Sequence, residues 1–168
     1  FGGGTTEDVI DSGNCGANGA NVTWKLTSDG TLTISGTGAM TDYTYDSRSP
    51  WYSCRTYIKR VVMQQGVTSI GDLAFWDCSG LTSVTIPDGV TSIGDYAFSD
   101  CSGLTSVTIP SSVTSIGWRA FENCTALTFM TIPESVTYIN GEVFSNCVRL
   151  ARVTIPKSVT EISSKAFY

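Results

Sequence analysis

At 168 residues the chain is the length of one ordinary domain, and it is long enough to bury a core of its own. Its residues are 41% hydrophobic and 15% charged, with no apolar run near the roughly 20 residues of a membrane-spanning helix, which excludes a transmembrane reading. Ten basic residues against fifteen acidic ones give a net charge of -5, which lacks the electrostatic footprint of a nucleic-acid partner, and the absence of histidine removes the commonest general base and every Ser-His or Cys-His dyad. The expectation is a non-enzymatic protein with no cofactor.

The chain starts at Phe1 without a methionine or a charged-then-apolar leader, which reads as a mature or excised fragment. Residues 1–57 do not repeat. Within them, Val22 to Thr27, the turn Ser28-Asp29-Gly30, and Thr31 to Ser35 predict a β-hairpin that caps the rest of the chain. A cap is expected because an unfinished stack of repeats exposes an apolar end and a strand edge.

Residues 58–168 follow a 23-residue clock. The pair Ile-Pro recurs at Ile86-Pro87, Ile109-Pro110, Ile132-Pro133 and Ile155-Pro156. Phenylalanine keeps the same step at Phe75, Phe98, Phe121, Phe144 and Phe167, as do Cys78, Cys101, Cys124 and Cys147 and the isoleucines Ile70, Ile93, Ile116, Ile139 and Ile162. Such a period identifies a solenoid. One unit reads Leu81-x-x-Val84-x-Ile86-Pro87-x-x-Val90-x-x-Ile93-Gly94-x-x-Ala97-Phe98-x-x-Cys101, and its eight small or apolar positions can be buried only by stacking on neighbouring units.

Within a unit, Val84-x-Ile86 reads as a short strand ended by Pro87, and Val90 to Ile93 as a second extended piece. The corner filled by Gly71, Gly94, Gly117, Asn140 and Ser163 suggests a left-handed backbone, leading into a short helical turn that carries Ala-Phe. The register starts imperfectly at Ile58, Val61 and Met63, and the last unit stops at Tyr168, short of its cysteine and without a visible cap, as in an excised fragment.

These residues resemble the BspA-like class of bacterial leucine-rich repeats over 58–168. The leading segment, with Trp24, Gly36-Thr37-Gly38-Ala39-Met40 and Ser49-Pro50-Trp51-Tyr52, resembles the module that precedes such repeats. The resemblance implies a right-handed, β-rich solenoid of about four and a half to five coils with parallel strands. It also implies a secreted or surface-attached bacterial protein with a role in adhesion or partner binding, and it carries no catalytic residue across. The unit departs from the general leucine-rich repeat by placing Gly89 and Val90, not Asn or Cys, after the strand.

Several residue types invite chemistry. The four cysteines at 23-residue steps would lie on rungs about 4.8 Å apart, but a column of small buried hydrophobes explains them better than a metal or disulfide ladder. Cys15 and Cys54 lie outside that column, Cys54 by one residue, and a disulfide between them would pin the cap. Asp42-x-x-x-Asp46 is too sparse for calcium, which gathers six to eight oxygens. Asn21-Val22-Thr23 and Asn123-Cys124-Thr125 meet the glycosylation rule in form only.

Variation at exposed positions points to a binding face. One outward strand row runs Arg60, Ser83, Ser106, Phe129, Arg152, and the next runs Val62, Thr85, Thr108, Thr131, Thr154. An aromatic with an arginine one rung away has the composition of an interface anchor, so Phe129, Arg152 and Arg60, with Thr131 and Thr154 beside them, form the candidate site. A competing surface carries Trp76, Tyr96, Trp118 and Tyr138 on the turn side. The segment 61–118 holds five aspartates and no basic residue, whereas Arg149, Arg152, Lys157 and Lys165 crowd the far end. The expected partner is a protein or glycan of a host or neighbouring cell, met by an extracellular monomer, with head-to-tail self-association as a variant; the alternatives are an inert spacer and, more distantly, a glycan-processing enzyme.

Overall fold

The structure is a computed structural model that describes residues 7–168. It opens with β1 (Val9–Gly16), β2 (Gly19–Thr27) and β3 (Thr31–Gly36), joined antiparallel in that order. The expected hairpin is β2 and β3, with Val22 facing Gly36 and Leu26 facing Leu32. Asp29 sets its turn by accepting from the Thr31 amide and from the hydroxyls of Thr27 and Thr31, which holds its carboxyl well below the usual range.

From β3 onward the pairing becomes parallel and each step advances one coil. The first ladder runs from β3 to β5 (Arg60–Met63) and β7 (Ser83–Thr85), and resumes as β10 (Phe129–Thr131) with β12 (Arg152–Thr154). A second ladder joins β4 (Gly38–Ala39), β6 (Val67–Ile70), β8 (Ser92–Ile93) and β9 (Ser115–Ile116), and resumes as β11 (Tyr138–Ile139) with β13 (Glu161–Ile162). The capping hairpin is therefore also the first rung of the stack, since β3 supplies the edge on which β5 is built.

The Ala-Phe segment forms turns instead of helix, and among the described residues the one helical element is a 3-10 turn at Tyr52–Cys54. Alternate amides explain this. The amides of Ala74, Trp76 and Cys78 close back onto the carbonyls of Gly71, Leu73 and Phe75, whereas those of Leu73, Phe75 and Asp77 donate across to Asp95, Ala97 and Ser99 of the next coil. A helix would spend all six bonds within the segment; here half of them make a third ladder between coils.

The corner glycines also work differently from the sequence expectation. Gly71, Gly94 and Gly117 are not left-handed; the left-handed residues lie two positions on, at Leu73, Tyr96, Arg119, Glu142 and Lys165, with φ between 53° and 57°. Glycine is needed for room. A Cβ on Gly71 would lie 1.8 Å from the Thr41 carbonyl oxygen, and one on Gly94 would lie 2.5 Å from the Asp72 amide nitrogen.

All eight positions of the unit from Leu81 to Cys101 are buried in one core that runs from Cys15 in the cap to Ala166. Along it the phenylalanines stack with nearly parallel planes, centroids 5.3 to 5.8 Å apart from Phe75 through Phe167. The cysteine column lies beside them, and the thiols of Cys101, Cys124 and Cys147 donate to the carbonyls of Phe75, Phe98 and Phe121 at 3.1 to 3.2 Å.

Candidate functional site

The solenoid presents its side chains on three edges: two strand ladders and the turn ladder. On the first strand ladder, Phe129 stands directly opposite Arg152, and Thr131 opposite Thr154, so these four form one patch. Arg60 pairs with Ser83 and is separated from Phe129 by the Ser83 and Ser106 rungs, so the structure does not bring it into the patch. Phe129 is 51% exposed, although the alternation of the strand buries its neighbour Met130.

The ladder is interrupted beside this patch. Thr105 to Ile109 form no strand, and the bond linking that coil to the next along this edge is the long one from the Thr128 amide to the Thr105 carbonyl, 3.4 Å. The slack leaves a groove of about 450 Å³ between Val107, Ile109, Phe129, Thr131, Pro133 and Glu134. Its floor is apolar and its rim carries Glu134. Arg152, the register partner of Phe129, makes no ion pair among the described residues.

The turn edge gathers a second set of side chains. Tyr96 and Trp118 meet edge to face at 5.1 Å, and Tyr45 joins Trp76 at 5.3 Å and Tyr96 at 6.0 Å. Tyr52 stacks on Trp76, and Arg48 lies 4.3 Å from the Tyr52 centroid and 4.7 Å from that of Trp76. Sequence reasoning found Trp76, Tyr96 and Trp118 but missed Tyr45, Arg48 and Tyr52. The available signal was an aromatic-dense irregular stretch, residues 43–52. Tyr138 does not belong to this group, because β11 places it on the second strand ladder beyond Ser69, Ser92 and Ser115.

The second strand ladder carries carboxylates. Asp42 accepts the Asp72 amide at 3.0 Å, Asp72 accepts the Asp95 amide and Asp95 accepts the Trp118 amide, each at 2.7 Å. Asp42 is thus a backbone acceptor, not one end of a ligand pair with Asp46. Asn21 is likewise engaged, donating to the Thr37 and Ala39 carbonyls, and Asn123 bridges Asp100 and Asn146.

The disulfide expected between Cys15 and Cys54 is not formed, and all six cysteines are free thiols. Cys15, next to last in β1, is buried and its carbonyl takes the Thr41 amide, whereas Cys54, the last residue of the 3-10 turn, is half-buried. Burial pushes the Cys15 thiol up to about 12 and Cys147 up to about 11, and raises Cys78, Cys101 and Cys124 as well, so none is a nucleophile at neutral pH.

Comparison with known proteins gives the family. A model described as the BspA type leucine rich repeat region matches residues 48–168 in six copies. Curated proteins yield no match. Among solved structures, the chain is 39% identical to a leucine-rich repeat protein from Eubacterium ventriosum, with a TM-score of 0.78, covering 91% of this chain and 40% of that one. A leucine rich cell surface protein from Faecalibacterium prausnitzii is 33% identical with a TM-score of 0.68, over 88% and 44% of the two chains. One from Bacteroides ovatus is 31% identical with a TM-score of 0.61, over 83% and 41%. The chain spans well under half the length of these three relatives. With its 23-residue step, its two strand ladders and a family match over most of its length, the chain belongs to the BspA-type leucine-rich repeat proteins.

Proposed function

We propose that the chain is a non-enzymatic recognition module at a bacterial cell surface, binding a protein of a host or neighbouring cell through its first strand ladder. The observation that carries this reading is Phe129, half exposed over an apolar groove and in register with an unpaired Arg152. Folding needs neither residue, since Ser83 and Ser106 fill the same row. Aromatic and arginine side chains are the commonest anchors of protein interfaces, and Thr131 and Thr154 would form the polar rim. The cell-surface description of the Faecalibacterium relative supports the extracellular setting. The first ladder's parallel crossovers favour a right-handed winding.

The test is a binding screen of the purified chain against displayed extracellular proteins, followed by Phe129→Ser and Arg152→Ser. Restoring serine should weaken a captured partner by roughly 1 to 2 kcal/mol or more per residue. Silence across the screen favours an inert spacer. Partners that survive both changes but are lost in Trp118→Ser move the protein site to the turn edge.

A further inference from the structure

The groove beside Phe129 lies between charges of opposite sign. Each coil leaves its first-ladder strand through a turn closed from the valine amide to the proline carbonyl, at Pro87–Val90, Pro110–Val113, Pro133–Val136 and Pro156–Val159. The hydroxyls of Ser112, Ser135 and Ser158 each donate to the valine carbonyl of the preceding turn, so these turns stack in one column. The residue after each proline is then Asp88, Ser111, Glu134 and Lys157 in successive coils, and all four are exposed.

Folding does not ask for this variation. The outward strand row beside it holds Thr85, Thr108, Thr131 and Thr154, whereas the residue after the proline runs from acid through serine to base. Asp88, Glu134, Arg152 and Lys157 make no ion pair among the described residues. The groove between Val107 and Phe129 therefore has acid one coil before it, at Asp88, and on its rim, at Glu134, and base one coil beyond it, at Arg152 and Lys157. Arg60, beyond the Ser83 and Ser106 rungs, lies outside this order.

We propose that this groove takes an extended segment of a partner protein that presents a basic, an apolar and an acidic side chain in that order along the solenoid axis; the proposal rests on the strand-face reading above and gives its partner a chemistry. The apolar side chain covers the floor of Val107, Ile109 and Phe129, the basic one meets Asp88 and Glu134, and the acidic one meets Arg152 and Lys157. The spacing agrees. Three rungs of about 4.8 Å put Asp88 about 14 Å from Lys157, and positions i, i+2 and i+4 of an extended chain share one face over about 13 Å. A segment of a single charge sign meets repulsion at one end, which disfavours acidic and basic partners alike.

The experiment titrates the purified chain with three blocked heptapeptides and reads NMR shifts. The first is Ser-Lys-Thr-Leu-Thr-Glu-Ser, and its counterparts carry two lysines or two glutamates at the charged positions; all are too short for a stable helix. The mixed-charge peptide should bind more tightly than either counterpart by roughly fivefold. Replacing its leucine by serine, or Phe129→Ser in the protein, should weaken it roughly tenfold. Arg152→Glu with Lys157→Glu should turn the preference to the two-lysine peptide, and Asp88→Lys with Glu134→Lys to the two-glutamate peptide. All four positions are exposed, and an unchanged melting midpoint confirms the fold of each variant. The proposal is overturned if the mixed-charge peptide does not bind, or if the order of preference ignores the charge reversals. A protein captured in the screen that depends on Phe129 but tolerates both reversals overturns the charge order and leaves the strand-face reading standing, whereas capture independent of Phe129 removes that reading itself.

Discussion

Trp51 stacks on Phe75 with ring centroids 5.5 Å apart and planes 17° from parallel, although it precedes that phenylalanine by 24 residues instead of 23. Cys54 precedes Cys78 by the same 24. The segment 51–54 is therefore a rung of the stack carrying one extra residue, which conceals it from a search at strict period. Its tryptophan also gathers Trp24 and Tyr43 edge to face and donates to the Ala74 carbonyl at 2.8 Å, joining cap to solenoid.

Replacing this residue separates packing from hydrogen bonding. Trp51→Ala, at a site only 1% exposed, should cost about 3 to 5 kcal/mol. Trp51→Phe keeps the stack and loses the bond to Ala74, so it should cost closer to 1 to 3 kcal/mol. Urea unfolding of both variants gives the comparison, and equal losses would contradict the stacking role.

The thiol column is expected to be silent to alkylating reagents in the folded state at pH 7 and to oppose folding at high pH. The pKa of Cys147 is raised by burial from about 9 to about 11, so the unfolded chain releases that proton first. Stability then falls as pH climbs through that window, and it is fully present below it. Urea midpoints at pH 7, 9 and 10.5 should decline for the wild type, and Cys147→Ala should flatten part of the decline.

Corner geometry gives a third test. Gly94→Ala should cost about 1 to 3 kcal/mol, since its methyl meets the backbone of the preceding coil. Asn140 shows how the stack adapts to a side chain there: its amide group donates to the Ile116 carbonyl at 2.6 Å, where the corner residues Gly94, Gly117 and Ser163 use their backbone amides on the equivalent carbonyls. The second strand ladder breaks at that step, between β9 and β11. Asn140→Gly should rejoin it, and hydrogen exchange should show the backbone amide at 140 becoming protected with little change in global stability.

The aspartate ladder provides a pH test of opposite chemistry. Burial, then repulsion from Asp42 and Asp95, holds the Asp72 carboxyl above the ordinary range, against the opposing effect of the bond from the Asp95 amide. A raised carboxyl favours the fold below the unfolded value of about 4 and loses that advantage as pH rises through the folded value. Asp72→Asn keeps an acceptor for Asp95 and removes the charge, so it should raise the thermal midpoint at pH 7 and make little difference at pH 3.

Most of the core was legible in the sequence because each buried position is repeated. Leu81, Val84, Ile86, Val90, Ile93, Ala97, Phe98 and Cys101 recur at one step, and only stacking buries such a set. The outward rows were legible for the same reason: parallel pairing in strict register places Phe129 opposite Arg152 as the 23-residue step requires. The hairpin was legible from Asp29-Gly30 between two alternating runs, whereas β1, with its polar and glycine-rich sequence, was not.

Three things were left to the tertiary structure. The Ala-Phe segment looks helical to local propensity, but the carbonyls of the next coil compete for every second amide, and that competition exists only in the stack. The corner glycines look like left-handed residues, yet the constraint on them is the backbone of the preceding coil. The turn-edge aromatic cluster depends on Tyr45 packing edge to face against Trp76 and Tyr96, and on Arg48 lying over Trp76, from an irregular segment with no periodicity to read. A repeated local pattern determines what is buried, because every copy states it again; a surface assembled from one non-repeating segment and three different coils is decided only when the chain has closed.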